Sequence, residues 1–464
     1  MNKLRISGIY YQQLKNHLFP GDGKEAVAVA LCGRSLYDGE QVLLVKELLL
    51  IPYDVCHVRR EEFISWPTDV INPLLEKAAK DGSALLKIHC HPTGYERFSD
   101  LDNQSDFNLF TSIHAYLNNY QPHASCIMLP DGRMFGRVFY GDIKPQPIRQ
   151  ISVAGDNILN WYYSEETELN EDIQIRNIQT FGKQTIQMLS KMRIGVIGCS
   201  GTGSPTIEQL KRLGVGELVL CDPDFIDMLN LNRIVGSTLE DAKNKALKVD
   251  VMKREVEKTG FGTIVTTFAS TTSHYDIIKK LASCDVLFSC VDRAGVEARH
   301  QLSLISSYYI VPLLDMGVKL VADGKGGING IFGSVHYIQP GGSSLLSRGQ
   351  YDLENLRSAG VKRLNKEEFE RNQYLVEVEE SSPAVITINM QVAATAANEF
   401  LARIHPYRNI ENSQIDFVSI LFGDCVMYGE SFNEPCSYFS KLVGKGDIEP
   451  LLNNPELSNV EKAV

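Results

Sequence analysis

The chain has 464 residues, more than one core holds at about 150 residues per domain, so two or three domains are expected. Its 57 Asp and Glu outnumber its 46 Lys and Arg, and a net charge of −11 spread along the chain argues against a phosphate-backbone footprint and hence against nucleic acid as partner. The apolar content is 44%, no run approaches the ~18 apolar residues of a membrane helix, and Met1-Asn2-Lys3-Leu4-Arg5-Ile6-Ser7 lacks a signal peptide's apolar run, which together read as a soluble, cytoplasmic protein without a membrane partner.

Residues 1–150 read as one domain of mixed strands and helices. An amphipathic segment at Tyr10–Phe19 precedes apolar runs at Ala26–Leu31 and Val42–Leu50, a helix at Thr68–Lys80 and a strand at Ala84–His89. A helix fits Leu101–Asn118, and a hairpin joins Ala124–Leu129 to Met134–Tyr140 across Pro130-Asp131-Gly132. Residues 151–172 lose periodicity, turn acidic and read as a linker. From there to 464 strands alternate with helices: Arg193–Ile197, Ser204–Leu213, Glu217–Cys221, Val286–Cys290, Ala294–Ser306 and Ile310–Leu314, the α/β pattern of a Rossmann-like doubly wound sheet. Residues 339–382, rich in Gly, Ser and charge, read as a long excursion before a helix at Thr387–Ile404. The 10 cysteines contain no C-x-x-C pair, which argues against both a disulfide framework and a four-cysteine zinc site.

Between residues 89 and 102 the order is H-x-H, seven residues, then S-x-x-D. Two histidines at a strand end and an aspartate in the first turn of the next helix offer three ligands to zinc, leaving the fourth position for water. A base must still take a proton from that water, and Glu25, a carboxylate at the head of the apolar run Ala26–Leu31, is the candidate, with Glu61 and Glu62 as substitutes. The spacing resembles that of the JAMM (MPN) zinc isopeptidases, which remove ubiquitin-like modifiers. The resemblance implies that His89, His91 and Asp102 hold zinc, that Glu25 is the base and that Ser99 hydrogen-bonds the tetrahedral intermediate.

A second constellation follows the strand Arg193–Ile197, where Gly198, Gly201 and Gly203 form a G-x-x-G-x-G loop opening a helix. Glycines let backbone N–H groups approach a phosphate, and Asp222 ends the next strand, where a ribose-binding acid belongs. Asp224, Asn230, Arg233, Lys245 and Asp292 then exceed what hydride transfer requires. An adenylating site needs cations for the α-phosphate and leaving pyrophosphate and a carboxylate for Mg²⁺. These residues resemble the adenylation domain shared by ubiquitin-activating enzymes and the bacterial activators of sulfur carriers (ThiF type). On that resemblance Asp222 meets the ribose of ATP, Asp224, Asn230, Arg233 and Lys245 surround the triphosphate, and Asp292 holds Mg²⁺. The lead-in Arg176–Gln184 implies that Arg176 reaches the partner subunit's ATP in a homodimer.

The family's two C-x-x-C pairs are reduced here to Ser344, Ser347, Cys436 and Phe439, so its structural zinc is not expected. Its thioester cysteine also has no counterpart, since no cysteine lies between Cys290 and Cys425. The adenylate is therefore expected to pass directly to a partner or to form an oxyester on a serine of that segment, Ser381 or Ser382 before Ser344. Together the resemblances imply a bifunctional enzyme, bacterial by analogy with such fusions. It would adenylate the C-terminal glycine of a ubiquitin-like or sulfur-carrier protein, cleave that protein's precursor or conjugates, and work with a possible conjugating enzyme. The alternatives are a sulfur-carrier- or peptide-adenylating enzyme without a conjugation partner, and a non-catalytic scaffold that binds a ubiquitin-like protein.

Overall fold

Alternating apolar residues organise the first part of the chain around one sheet. The computed structural model describes residues 1–142, 144–163, 169–292, 295–323, 325–364 and 384–458. Strands β1 (Asn2–Ser7), β2 (Val27–Tyr37) and β3 (Glu40–Leu50) come first, with α1 (Gly8–Leu18) after β1. A small hairpin, β4 (Val58–Arg60) and β5 (Phe63–Ser65), precedes α2 (Asn72–Asp81), β6 (Ala84–Cys90) and α3 (Asp100–Leu117). Then come β7 (His123–Met128), β8 (Met134–Phe139), β9 (Pro145–Pro147), β10 (Gln150–Ala154) and β11 (Ile158–Tyr162). Nine of these strands form a mixed sheet in the order β11-β10-β1-β3-β2-β6-β7-β8-β9. Leu4, Ile6, Ala28, Ala30, Leu86 and Ile88 fill one side of it, and Val29, Leu31, Leu85, Phe110 and Phe139 form a second cluster with α2.

Two boundaries differ from the sequence reading. Residues 151–162, placed at the start of a linker, belong to β10 and β11 and the turn between them, and Ile151 and Val153 are buried where β10 pairs parallel with β1. The first compact unit comprises Met1–Glu165 together with Tyr308–Ile310 and Leu442–Val464, so the chain's end does not belong with the second unit. Within the first unit Gly446 bridges Arg34 in parallel and Asp447 N donates to Arg34 O at 2.7 Å. Gly33 permits this approach, since a Cβ there would collide with the carbonyls of Gly444 and Lys445.

The second unit, Glu166–Ser307 with Val311–Lys441, begins with α4 (Glu171–Phe181) and α5 (Lys183–Leu189). It continues through β12 (Arg193–Ile197), α6 (Gly203–Arg212), β13 (Glu217–Cys221), α7 (Leu239–Lys243), α8 (Lys248–Glu257), β14 (Ile264–Phe268), α9 (Tyr275–Ala282), β15 (Val286–Ser289) and α10 (Val296–Tyr309). The remainder is β16 (Leu313–Ala322), β17 (Ile328–Ile338), α11 (Leu353–Leu364), α12 (Ile386–Ile404), β18 (Phe417–Leu421) and β19 (Val426–Glu430). The sheet order is β14-β13-β12-β15-β16-β17-β18-β19. The first five strands pair in parallel, as the alternating pattern predicts, and β17 to β19 extend the sheet antiparallel. Within the expected excursion of 339–382 lies α11. Among the described residues no helix is long and apolar enough to cross a membrane.

Two histidines tie this unit's stability to acidity. Burial pushes His300, packed on Tyr351 and Phe439, down to about 4, and burial with Arg348 and Arg299 nearby pushes His336, stacked on Phe417, down to about 3. Between pH 6.5 and 4 the unfolded chain takes up protons that the folded histidines refuse, so stability falls as pH falls through that window. Each contributes at most about 1.4 kcal/mol per pH unit. Chemical denaturation across the window should show a shallower slope in His300→Gln than in the unaltered chain.

Candidate functional site

The first constellation sits where β6 runs towards α3. Strand alternation puts His89 and His91 on one side, and both are buried. Ser99 caps α3 reciprocally with Asp102. Its hydroxyl accepts from Asp102 N at 3.1 Å and donates to Asp102 Oδ2 at 2.8 Å, and Ser99 N donates to the same oxygen at 2.8 Å. The cap aims the carboxylate at the strand: Oδ1 lies 2.9 Å from His89 Nε2 and Oδ2 lies 3.4 Å from His91 Nε2. The two Nε2 atoms are 3.2 Å apart, and His91 Nδ1 donates to Tyr95 O at 2.7 Å, leaving its Nε2 as the ligand nitrogen. One donor atom from each of the three residues lies within 4.8 Å of the others. Two imidazole nitrogens and a carboxylate oxygen converging at this range fit a catalytic zinc with an open position.

Glu25 closes the site. It is 6% exposed, and burial first, with Asp102 and Glu62 adding to it against His91 and Lys87, pushes its carboxyl up to about 7. Its backbone is held from both sides by the β4–β5 hairpin, through Glu25 N to Arg60 O at 2.8 Å and Arg59 Nε to Glu25 O at 3.0 Å. Glu61 and Glu62, the substitutes considered from the sequence, are exposed. Burial works to raise Asp102, but its hydrogen bonds with His89 and His91 win and hold it well below the usual carboxylate range. Ser99, expected to serve a reaction intermediate, has its hydroxyl engaged with Asp102 as donor and acceptor.

The second constellation surrounds a cavity of about 890 Å³ at the carboxyl ends of β12, β13 and β15. Gly198 and Gly201 line it, and so do Asp222, Asp224, Asn230, Arg233, Lys245 and Asp292. Gly198 has φ +90° and a Cβ there would stand 2.6 Å from Cys290 O, while Gly203 opens α6 against the carbonyl of Gly198. No side chain caps the N-terminus of α6; Ser204 N donates to Ser200 O at 2.9 Å and Pro205 has no N–H, which leaves the N–H groups of Thr202 and Gly203 to a ligand or water. Asp222 is 5% exposed and accepts from Cys199 N at 2.7 Å and Asp224 N at 2.9 Å, and burial raises its carboxyl despite Lys248. Arg233 Nη1 bonds Leu229 O at 2.7 Å and Asn232 Oδ1 at 3.2 Å, and among the described residues no carboxylate pairs with it. Asn230 Oδ1 accepts from Asp227 N at 2.9 Å. The Asp292 loop is pinned by Arg299, which donates to Asp292 O at 2.6 Å and Val291 O at 2.9 Å while its Nε pairs with buried Asp315 at 3.0 Å.

Two lysines line this site: Lys245, singled out from the sequence, and Lys248, which was not. Lys245 has φ +50°, and its largely exposed side chain pairs with Asp227 at 2.7 Å on the rim. The turn it makes starts α8 at Lys248, which is buried, with Nζ 2.6 Å from Asp224 and 3.7 Å from Asp222. A lysine in a first helical turn opposes the helix dipole, and two carboxylates offset that.

Other expected residues stand apart. Arg176 is exposed on α4, bonded to Gln179 Oε1 at 3.1 Å, and does not line the cavity. Ser344, expected as a lesser candidate for acyl acceptor, is 2% exposed, does not line the cavity, and exchanges backbone-to-hydroxyl hydrogen bonds with Ser347 at 2.9 and 3.2 Å. Ser381 and Ser382 lie outside the described residues. The cysteines lining the cavity are poor nucleophiles, since burial pushes Cys221 up to about 12 and raises Cys290 further.

A family model described as ThiF family matches residues 172–423. The tRNA threonylcarbamoyladenosine dehydratase of Bacillus subtilis is 36% identical over 81 residues, 18% of this chain and 31% of that protein. Ubiquitin-like modifier-activating enzyme 5 of Bombyx mori is 25% identical over 166 residues, 34% of this chain and 40% of that protein. Molybdopterin-synthase adenylyltransferase of Haemophilus influenzae is 28% identical over 152 residues, 33% of this chain and 60% of that protein. The chain thus spans a third to three fifths of the length of these curated relatives. Among solved structures, E. coli MccB with MccA-N7isoASN matches with a TM-score of 0.43 and 18% identity, over 60% of this chain and 76% of that one.

The two lysines are separable by stability. Lys248→Met leaves two carboxylates, one of them buried, without their cation and should cost about 3 kcal/mol, the low end for breaking a buried pair. Lys245→Met, at an exposed pair, should stay within about 0.5 kcal/mol. Equal effects in urea denaturation would contradict this assignment.

Proposed function

The chain belongs to the ThiF family, and from that premise we propose that its second unit adenylates the C-terminal carboxylate of a ubiquitin-like or sulfur-carrier protein, while its first unit is a zinc hydrolase acting on the same protein's precursor or conjugates. The observation that carries the first half is the cavity that joins an uncapped helix N-terminus, an arginine without a carboxylate partner, and buried Asp222. A carboxylate oxygen of the modifier attacks the α-phosphorus of ATP, the bond to the bridging oxygen of the β-phosphate breaks, and acyl-adenylate and pyrophosphate result. The N–H groups around Gly198, Gly201 and Gly203 cradle phosphate, and Asp222 accepts from the ribose. Asp224 and Asn230 shape the triphosphate subsite, and Arg233, Lys245 and Lys248 neutralise charge growing on the leaving pyrophosphate. Asp292 would hold Mg²⁺, and Arg176 would complete a second subunit's site in a homodimer. Among the substrates that the relatives' names carry, tRNA is disfavoured by the net charge of −11, and a protein or peptide carboxylate fits better. With the cavity cysteines raised by burial and Ser344 buried, the acyl-adenylate passes directly to a partner such as a conjugating enzyme, and an oxyester on Ser381 or Ser382 is the second reading.

The hydrolase half rests on the convergence of His89, His91 and Asp102 beside Glu25. Zinc held there would supply a water of lowered pKa. Glu25 would serve as the base that accepts a proton from the attacking water and passes it to the leaving amine, and a carboxyl poised near 7 suits both transfers. Ser99 keeps Asp102 aimed through the cap.

ATP–pyrophosphate exchange with a modifier ending in glycine should depend on Mg²⁺ and fall about 10²-fold or more in Asp292→Ala, as for loss of a preorganised electrostatic group. Full activity in that variant overturns the adenylation site. Mixing Arg176→Ala with Asp292→Ala chains should restore part of the exchange, and no rescue after subunit exchange argues against a shared site. Metal analysis should find one zinc per chain, lost in His89→Ala and kept in Glu25→Ala, with modifier-fusion cleavage absent from both.

A further inference from the structure

Behind the zinc ligands lies a second buried ionic contact that the reaction does not use. Lys87 and His89 are two residues apart on β6, about 6.6 Å along one face. Asp102 and Asp106 are four apart on α3, about 6 Å along one face. The two spacings match, so strand and helix are joined by two rungs: His89 Nε2 to Asp102 at 2.9 Å and Lys87 Nζ to Asp106 at 2.7 Å. Lys87 is 4% and Asp106 0% exposed. A third element locks the inner rung, since Arg137 on β8 places Nε and Nη2 at 3.1 and 2.7 Å from Asp106 Oδ2. The same guanidinium reaches Asn103, next to Asp102, and its Cζ lies 3.7 Å from the centre of the Phe98 ring, next to the cap residue Ser99. Asp102 is therefore bracketed on both sides by contacts that end on Arg137 and Lys87.

Resting on the zinc reading above, we infer that Lys87, Asp106 and Arg137 are positioning residues that fix the register of α3 against β6, so that Asp102 meets both histidines before metal arrives. A bare ion pair would not require this arrangement, because burying three charges is costly and an apolar contact would hold helix to strand at least as well. What the clasp adds is a fixed distance. It also makes a counter-intuitive expectation: by Coulomb attraction alone, deleting the Lys87 charge beside a dication site would tighten metal binding, whereas loss of register weakens it.

The test measures Zn²⁺ affinity of the full chain by competition with a chelating dye, and the visible absorption of the Co²⁺-loaded protein. Lys87→Met should bind Zn²⁺ about 10- to 100-fold more weakly, the range for groups that orient ligands, with a weakened four-coordinate Co²⁺ band. Lys87→Arg should recover most of the affinity. Asp106→Glu keeps the charge and lengthens the arm by one carbon, so it should also bind more weakly, and it serves where Lys87→Met does not fold. Wild-type affinity and an unaltered cobalt spectrum in the folded Lys87→Met or Asp106→Glu chains overturn the inference alone. Absence of Zn²⁺ binding in the unaltered chain overturns the zinc reading and the inference with it.

Discussion

A strand that runs into the N-terminus of a helix leaves the first N–H groups of that helix without partners, and both candidate sites are answers to that deficit. After β6 the deficit is closed from within: Ser99 and Asp102 cap α3, and the cap that satisfies the backbone also swings a carboxylate onto two histidines. After β12 it is left open. Glycines bring the chain round, no side chain caps α6, and Thr202 at the helix end lines a cavity with its N–H group and that of Gly203 without a capping side chain. The closed turn makes a cation site because the cap is itself an anion, and the open turn makes an anion site because nothing covers it.

Buried charge pairs hold the surrounding residues in place. Arg299 clamped on Asp315 carries the carbonyls of Val291 and Asp292, so the exposed Asp292 rests on a rigid support. Lys248 ties Asp222 to Asp224 at the end of β13. Lys87, Asp106 and Arg137 do the same for the turn before Asp102. Such pairs contribute little net stability after desolvation, and each of these three touches a segment that carries a candidate ligand or phosphate contact.

Local chemistry was legible in the sequence where partners lie within a turn or two of one another. The H-x-H and S-x-x-D spacings place four side chains through one strand end and one cap, and the glycine loop needs only its own backbone. Glu25 was legible as a carboxylate heading an apolar strand, since little but a site accounts for burying it. Lys248 was not, because its place beside Asp222 and Asp224 depends on residue 245 taking a positive φ and on α8 starting three residues later. Asp106 and Arg137 were not, because their pairing spans β6, α3 and β8. Strands β10 and β11 read as linker because each is only five residues long and the acidic run beyond them dominates the composition. The antiparallel β17 to β19 were missed because Gly330, Gly333 and Gly429 interrupt their alternation.

The central claim is that one chain holds a metal site built by a capped turn and a nucleotide site built by an uncapped one. The most direct measurement is a crystal structure grown with Zn²⁺, Mg²⁺ and a non-hydrolysable ATP analogue, with anomalous data at the zinc edge. The account predicts one zinc peak among His89 Nε2, His91 Nε2 and Asp102, and nucleotide density with its phosphates at Gly198–Gly203 and its ribose at Asp222. A zinc peak at Ser344, Ser347 and Cys436 in place of the first, or phosphates bound away from the N-terminus of α6, would contradict it.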